Sequence, residues 1–291
     1  SFSNSFGESE PSNTVLAKLI LDTVPPVTKA NAPTGWINQS TVVTLTATDN
    51  EAGVPKTFYS LNDSDFVDGT SFTVDKEGVN KISFYSVDKV KNIEKTKTIE
   101  VKIDKTAPEM IMNLNDEYKL GTTLQLLYSA TDNLSGVVTE KMIVTGPNAT
   151  SENVVANGTD FTFDKPGVYN VTVIATNAAG LSTTIQKQFV VYIPVTVEVK
   201  PKVIKNNKGV FTVRVELPEG YDSQDFDLNT ARLNGVKSLT SNNGYYKQAE
   251  KGQFKFERSD FTWTTSDVTI EFRCYVNGYL VVGQTTVKVH K

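Results

Sequence analysis

Acidic and amide side chains stand at matched positions in two stretches of this 291-residue chain. Carboxylate and amide oxygens supplied by separate loops are the ligands that calcium prefers, roughly six to eight of them with tolerant geometry. Asp and Asn at turns also cap their own backbone without any metal, so both interpretations stay open. The second set has one carboxylate fewer and is the weaker candidate. The candidate calcium ligands are Asp22, Asp49, Asn50, Asp88, Asp104, Asp132 and Asn177.

Aromatic side chains suggest a second kind of site, because exposed Trp and Tyr rings can stack on the pyranose rings of a polysaccharide. Tyr245 and Tyr246 follow a predicted turn and are the best placed. Large aromatic residues also pack in cores and at sheet edges, which is the structural alternative. The carbohydrate-binding candidates are Trp263, Tyr245, Tyr246 and Tyr279.

Catalysis is not expected of these residues. The chain has a single histidine, His290, one residue from the C-terminus, and a single cysteine, Cys274, on an alternating strand. A serine or cysteine nucleophile needs a positioned base, and zinc or redox metals need clusters of His and Cys. Paired carboxylates could serve a glycosidase, but a small sandwich rarely supplies the cleft. The net charge of −4 gives no reason to expect nucleic acid. No apolar run is long enough for membrane insertion.

Alternation of apolar and polar residues runs through the chain, whereas helical periodicity is almost absent. Ile82, Phe84 and Ser86 lie on one face of a strand, and Val171, Val173 and Ala175 do the same in the second stretch. Strands broken by frequent turns predict an all-β fold. Four dipeptides predict hairpin turns: Asn157-Gly158, Asn234-Gly235, Asn243-Gly244 and Asn277-Gly278.

The two stretches are copies of one frame. DTVPP, TATDNEAGV and FTVDKEGV in the first correspond to DKTAP, SATDNLSGV and FTFDKPGV in the second. The spacing between matched aspartates is 82 from Asp22 to Asp104 and 83 from Asp49 to Asp132. A repeat of this length fits a complete β-sandwich domain rather than a solenoid unit. In such a sandwich the opening segment and two of the loops meet at the N-terminal end, which would bring Asp22, Asp49 and Asp88 together.

The domain organisation follows from the repeat and the prolines. We expect a remnant hairpin over 1–21, sandwich domains over 22–103 and 104–193, and a third sandwich over 194–291. Prolines at the junctions, Ile193-Pro194 among them, keep the linkers extended and short. The fold predicted is all-β, with three tandem immunoglobulin-like sandwiches in an extended rod on the order of 100 Å long.

Several of these segments resemble known families. The first repeat is similar to bacterial immunoglobulin-like surface repeats in DTVPP, TATDNEAGV, YSLND, FTVDKEG and FYSVDKVKNIE, but it has Val90 and Lys91 where the family usually has Ala-Gly. PGVYNVTVIATNAAG in the second also resembles polycystic-kidney-disease-type domains. The tail resembles a C-terminal sandwich of secreted bacterial and archaeal proteins in KGVFTVRVELPEGYDSQDFDLNTARLNGV, FKFERSDFTW and DVTIEFRCYVNGYLVVGQTTVKV. NSFGESEPSNTVLAKL in residues 1–21 resembles the last hairpin of a fibronectin type III domain.

These resemblances imply a non-catalytic stalk of a secreted or cell-surface bacterial protein, which positions an upstream enzyme or adhesive head of the same polypeptide. Calcium is the only cofactor expected. Two alternatives remain open. The C-terminal domain could bind the polysaccharide of an extracellular polysaccharide-acting enzyme, or the repeats could bind a host matrix protein or a cell-wall surface through exposed sheet edges.

Overall fold

The computed structural model describes residues 22–205, 208–240, 243–263 and 266–290. It divides into two compact units, the first ending at Lys105 and the second beginning at Thr106. Within these residues the regular secondary structure is almost all β-strand, with one α-helix and two 3-10 turns, so the predicted all-β class is confirmed. The remnant hairpin predicted over 1–21 lies outside the described residues. No helix in the described ranges has the length and apolar character needed to span a membrane.

The first unit is a two-sheet sandwich. One sheet has the order β1-β3-β6 and the other the order β2-β8-β7-β4-β5. Alternating residues of β3 and β7 point between the sheets, where Val43, Leu45, Ile82 and Phe84 are buried. The strands are β1 (Val27–Asn31), β2 (Trp36–Ile37), β3 (Thr41–Thr48), β4 (Lys56–Leu61), β5 (Val67–Asp68), β6 (Ser71–Val74), β7 (Gly78–Val87) and β8 (Lys97–Ile103).

The second unit begins with a sandwich of the same kind. Its third strand is split into β11 and β12, which pair with β15 and β9 respectively. The facing sheet has the order β14-β13-β16-β17, with β10 also paired to β17. The strands are β9 (Glu109–Met112), β10 (Glu117–Lys119), β11 (Thr123–Gln125), β12 (Tyr128–Thr131), β13 (Val137–Thr145), β14 (Asn153–Val155), β15 (Asp160–Thr162), β16 (Gly167–Asn177) and β17 (Ser182–Pro194).

A third sandwich completes the second unit. One sheet has the order β18-β20-β23, and the strands β25-β24-β21-β22 form the other, with β19 paired to β25. The elements are β18 (Thr196–Lys200), β19 (Val203–Lys205), β20 (Val210–Glu216), a 3-10 turn η1 (Ser223–Asp225), β21 (Phe226–Leu233), β22 (Val236–Lys237), α1 (Asn243–Ala249), β23 (Gln253–Glu257), a 3-10 turn η2 (Arg258–Asp260), β24 (Asp267–Val276) and β25 (Tyr279–His290).

All three sandwiches open in the same way. The first strand pairs antiparallel in one sheet, and the next strand pairs parallel with the last strand of the other sheet. This division occurs at β1 and β2, at β9 and β10, and at β18 and β19. The third sandwich therefore shares the frame that the sequence shows only in the first two. Its insertion, residues 238–252 between β22 and β23, holds the helix α1.

The junction predicted at Ile193-Pro194 is not a linker. Both residues belong to β17, and they pair in parallel with Val281 and Val282 of β25. The sheets of the second and third sandwiches are consequently one continuous sheet. Pro194 lacks an amide proton, but the next residue supplies one, because the Val195 N–H donates to the Val282 carbonyl at 3.0 Å.

Two of the four predicted hairpin turns are present. Asn234-Gly235 joins β21 to β22, and Asn277-Gly278 joins β24 to β25, with positive φ at both residues of each turn. The other two predictions are wrong. Asn157-Gly158 separates strands that pair with different partners, and Asn243-Gly244 begins helix α1. Local turn preference does not determine which strands become neighbours.

Candidate functional site

Three carboxylates meet at one end of the first sandwich. Asp22 precedes β1, Asp49 follows β3 and Asp88 follows β7, and one oxygen of each lies within 4.8 Å of the others. We call this group the first pole. Two oxygens bound to one calcium ion at about 2.4 Å can be at most about 4.8 Å apart, so the spacing suits a shared cation.

The strand pattern explains why two of these carboxylates face inward. Side chains alternate across a strand, and the buried series Ile82, Phe84 and Ser86 continues one step beyond β7 to Asp88. The burial of Asp88 is complete, with 0% of its surface exposed. Asp49 likewise continues the inward-facing positions of β3. Alternation along β3 and β7 thus places the carboxyl groups of Asp49 and Asp88 at the end of the core.

Backbone and amide groups hold Asp22 and Asp88. The Asp22 oxygens accept from the Val24 N–H at 3.0 Å and the Ala52 N–H at 3.1 Å. Asp88 accepts from both the N–H and the side-chain amide of Asn92, each at 2.7 Å. The same amide nitrogen of Asn92 also donates to the Asp22 carbonyl at 3.0 Å. These bonds fix the position of both carboxylates.

Asp49 is held on one oxygen only. Its Oδ1 accepts from the N–H groups of Glu51 at 3.1 Å and Gly53 at 2.9 Å. Its Oδ2 is buried and has no hydrogen-bond partner in the described structure. Burial raises the pKa of Asp49, but the surrounding N–H donors, led by Gly53, outweigh it and hold the pKa below its ordinary value. Asp49 is therefore ionised at neutral pH.

Within the described ranges, the three carboxylates of the first pole have no ion-pair partner. The exposed Lys89 lies at the rim, with Nζ 3.6 Å from the place that a Cβ would occupy on Gly53. Asn50 is exposed beside Asp49. Clustered like charges disfavour ionisation unless a cation neutralises them, so this geometry is suited to binding one.

The corresponding end of the second sandwich is built differently. Asp132 Oδ1 accepts from the N–H groups of Leu134, Ser135 and Gly136 at 2.9 to 3.1 Å. Its Oδ2 accepts from the side-chain amide of Asn177 at 3.0 Å. We call Asp132 and Asn177 the second pole.

The side-chain amide of Asn177 supplies hydrogen-bond donors at the second pole. Besides its bond to Asp132, it donates to the Thr106 carbonyl at 2.8 Å. Burial raises the pKa of Asp132, and the donors, Asn177 first among them, outweigh it and lower the pKa below its ordinary value. Asp104, the remaining candidate ligand, belongs to the first unit, where it is fully buried and its N–H donates to the Ile37 carbonyl at 2.9 Å.

A buried glutamate that the sequence did not single out lies in the first sandwich. Glu94 is 7% exposed, and its Oε1 accepts from the Thr28 N–H at 2.8 Å and pairs with Lys97 at 2.6 Å. Its Oε2 accepts from the Thr28 hydroxyl at 2.5 Å and the Ser86 N–H at 3.2 Å. Burial raises the pKa of Glu94, but Lys97 and Thr28 outweigh it, so the pKa lies below its ordinary value. A charged residue in the connection between two strands carries no local signal of such burial.

The carbohydrate-binding candidates do not form an open platform. Trp263 is 7% exposed, stacks on Phe261 and donates its indole N–H to the Arg258 carbonyl at 3.1 Å, so its ring belongs to the core. Tyr245 and Tyr246 lie on α1, with Tyr245 half-buried and Tyr246 exposed. Tyr279 is half-buried against the third core.

Three aromatic residues meet on the outer face of the first unit, one of them exposed and two half-buried. The rings of Phe58 and Tyr85 stack on the outer face of the sheet, with centroids 5.2 Å apart, and the exposed Phe66 packs edge-on against Tyr85 at 5.0 Å. The outward positions of the alternating β4 and β7 are the signal that could have located Phe58 and Tyr85.

Comparisons with known proteins relate the chain only to solved structures. No protein-family model matches it, and no curated protein sequence matches it. Among the solved structures, the fibronectin(III)-like modules of Clostridium thermocellum CbhA share 11% identity over 57% of this chain and 95% of theirs, with a TM-score of 0.32. A structure described as bearing on host cell surface retention of a bacterial ice-binding adhesin shares 12% identity over 92% of this chain and 99% of its own, with a TM-score of 0.31.

An ectodomain fragment of ICAM-5 shares 11% identity over 91% of this chain and 76% of its own, with a TM-score of 0.38. These neighbours are built of immunoglobulin-like or fibronectin III-like domains. At these identities and TM-scores, no residue role transfers from any of them to this chain.

Proposed function

We propose that this chain is a non-catalytic spacer of a secreted or cell-surface bacterial protein, which positions other domains of the same polypeptide. The three sandwiches open with the same arrangement of strands. The residue types available for catalysis are unsuited to it. Burial raises the pKa of the Cys274 thiol to about 11, so the thiol is protonated and unreactive at neutral pH. His290 is exposed near the end of the chain.

The spacer role is supported by how each sandwich buries its own apolar residues. The first unit has a core around Val43, Ile82 and Val101, and the second unit has one core around Val171 and Phe189 and another around Phe254 and Phe272. Modules that each have their own core can be joined in series, and joining them in this way requires no cleft for a substrate. Such an arrangement serves to hold other domains at a distance rather than to enclose a substrate.

Calcium bound at the first pole would stiffen this end of the first sandwich. The observation that carries this part of the proposal is the meeting of Asp22, Asp49 and Asp88 within 4.8 Å, with Asp49 Oδ2 buried and lacking a hydrogen-bond partner in the described structure. A divalent cation supplies the missing partner and neutralises the clustered charge. Because the three ligands come from the segment before β1 and from two loops, a bound cation would hold these segments together.

The test is a calcium titration of the full chain, in which the melting temperature of the first unit is measured by thermal denaturation. A ligand at 100 times its Kd stabilises the folded state by about 2.7 kcal/mol. For a domain of this size, that raises the melting temperature by roughly 10–20 °C. We expect this shift in the native chain and its loss in Asp49→Asn, which keeps the shape of the side chain and removes its charge.

Asp132→Asn is the matched control, because it makes the same change at the second pole and should leave the calcium response intact. The proposal would be contradicted if calcium caused no shift in the native chain, or if the shift survived in Asp49→Asn. Chelation with EGTA should return the native melting temperature to its calcium-free value.

A further inference from the structure

We propose that the second and third sandwiches unfold as one cooperative unit, held together by the Glu117–Arg273 ion pair and by the sheet that they share. The sequence alone predicts independent domains here. This inference is separate from the calcium proposal, because the residues that carry it all lie in the second unit.

The first observation is the continuity of the backbone pairing. β17 pairs along most of its length with β16, and its last two residues, Ile193 and Pro194, pair with Val281 and Val282 of β25. The Val195 N–H adds a further bond to Val282. The last strand of one sandwich is thus hydrogen-bonded to the last strand of the next.

Two backbone segments approach so closely at Gly283 that a side chain at this position would not fit. A Cβ added to Gly283 would collide with the Val195 carbonyl oxygen and with the side chain of Val197. Collision with a backbone carbonyl is difficult to relieve without moving the strand. Gly283 therefore permits the close approach of β25 to the segment that leads from β17 into β18.

The second observation is a bidentate ion pair across the junction. Both carboxylate oxygens of Glu117, on β10, accept from the guanidinium of Arg273 on β24, with Oε2 at 2.9 Å from Nη1. Glu271 accepts from the same guanidinium at 3.2 Å, and Gln284 donates to the other oxygen of Glu271 at 2.7 Å. Side chains of Glu117 and Arg273 are about one-third exposed, at 33% and 35%. Bidentate pairs in such partly buried positions are stronger and more specific in geometry than typical surface pairs.

The third observation is apolar contact between the two sandwiches. Leu120, directly after β10, packs against the cores of both. Tyr279 packs against the third core, and its ring lies 3.7 Å from the place that a Cβ would occupy on Gly167 of β16. Loss of either sandwich would expose these surfaces and leave Glu117 without its partner. Neighbouring modules with such an interface stabilise each other, as in repeat proteins.

Hydrogen exchange of the full chain in increasing urea tests the inference, since it reports each sandwich separately. Val173→Ala removes two buried methyl groups from the second core, where Val173 is 0% exposed. A change of this size lowers the urea midpoint by roughly 0.5–1 M. We expect the amides of β24 in the third sandwich to shift by the same amount as those of β16. A midpoint for β24 that stayed unchanged would overturn the inference.

A second variant tests the ion pair itself. In Val173→Ala combined with Arg273→Leu, we expect the midpoints of β16 and β24 to separate, because the charged contact across the junction is gone. Equal shifts in that variant would overturn the role assigned to Arg273. Lys141→Leu is the matched control, since Lys141 forms a 3.0 Å ion pair with Glu152 inside the second sandwich and should leave the coupling intact.

Should Arg273→Leu not fold, Glu117→Gln provides the same test with less disturbance, because the amide keeps the shape and one acceptor but removes the charge. Partial separation of the two midpoints is then the expected result, and equal midpoints would overturn the assignment. The amides of β7 in the first unit give the reference for general effects of urea on the sample.

Discussion

The first and second poles are the same place in two copies of one frame, yet they balance charge in different ways. At the end of β7, the Asp88 N–H donates to the Asn92 carbonyl, and at the end of β16 the Asn177 N–H donates to the Leu181 carbonyl. Asp88 and Asn177 are therefore equivalent. The first copy places a third carboxylate there, whereas the second places an amide that donates two hydrogen bonds.

The contrast extends to the residue that holds the first strand. Two positions beyond Asn92 and Leu181 lie Glu94 and Thr183. Glu94 accepts three hydrogen bonds and pairs with Lys97, while Thr183 donates one hydrogen bond to the Pro108 carbonyl at 2.6 Å. The first copy thus has acidic side chains at the two positions where the second has an amide and a hydroxyl. The difference shows that one backbone frame accepts either solution, and we expect the acidic solution to make the stability of the first unit depend on pH.

The largest difference in stability between the copies should appear when Glu94 and Thr183 are replaced. Glu94→Leu leaves the Thr28 N–H and the Ser86 N–H without this acceptor, and each buried orphan donor costs about 1–3 kcal/mol. The Thr28 hydroxyl also loses its bond to Glu94 but can still donate to the Ser86 hydroxyl at 2.7 Å. We expect a loss of about 3–5 kcal/mol in the free energy of unfolding of the first unit. Thr183→Val removes one hydrogen bond and should cost only about 1 kcal/mol. Urea denaturation followed by hydrogen exchange measures both, and equal costs would contradict the comparison.

Lowering the pH should reveal the same difference in stability between the two copies. Because the pKa of Glu94 is lowered in the folded state, its stabilisation is present above the unfolded value of about 4.3 and is lost as pH falls through the folded pKa. Glu94→Gln should therefore flatten the loss of stability of the first unit between about pH 5 and pH 3. An unchanged pH profile would show that Glu94 does not contribute as an anion.

Replacing the amide of the second pole by an acid, as in the first pole, should have a smaller effect on stability. Asn177→Asp removes the bonds to Thr106 and Asp132 and places two carboxylates about 3 Å apart. We expect a loss of about 2–3 kcal/mol for the second sandwich in EGTA. Asn170→Asp, an amide-to-acid change at an exposed position of β16, is the matched control. A stability equal to that of the native chain would mean that the amide is dispensable.

The smallest expected effect concerns one backbone position. Lys91 has φ of +79° in the turn after β7, where the equivalent residue of the second copy is Gly180 with φ of +83°. The left-handed region costs a residue with a Cβ about 1–2 kcal/mol, partly offset by the greater entropy of glycine in the unfolded chain. Lys91→Gly should therefore stabilise the first unit by about 0.5–1 kcal/mol, measured by thermal denaturation. Gly180→Ala should destabilise the second sandwich by a similar amount.

Much of the fold could be predicted because its signals are local. Alternation located the strands, and the repeated DTVPP, TATDN and FTVDK segments showed that two domains share a frame. The same frame placed Asp22, Asp49 and Asp88 in one end of a sandwich, and the structure brings them within 4.8 Å. The turn at Lys91 also forms without glycine, as the sequence required.

The remaining features depend on contacts between residues far apart in the chain. Trp263 is buried because Phe211 and Phe261 pack against it, and no local pattern separates a core ring from an exposed one. The pairing of Pro194 with Val282 and of Glu117 with Arg273 joins residues that no turn or period relates. Alternation and repeat spacing determined the strands, the frame shared by the first two sandwiches, and the first pole. Only the tertiary structure decided which charges are compensated and which domains share a sheet, because those outcomes depend on the packing of distant segments.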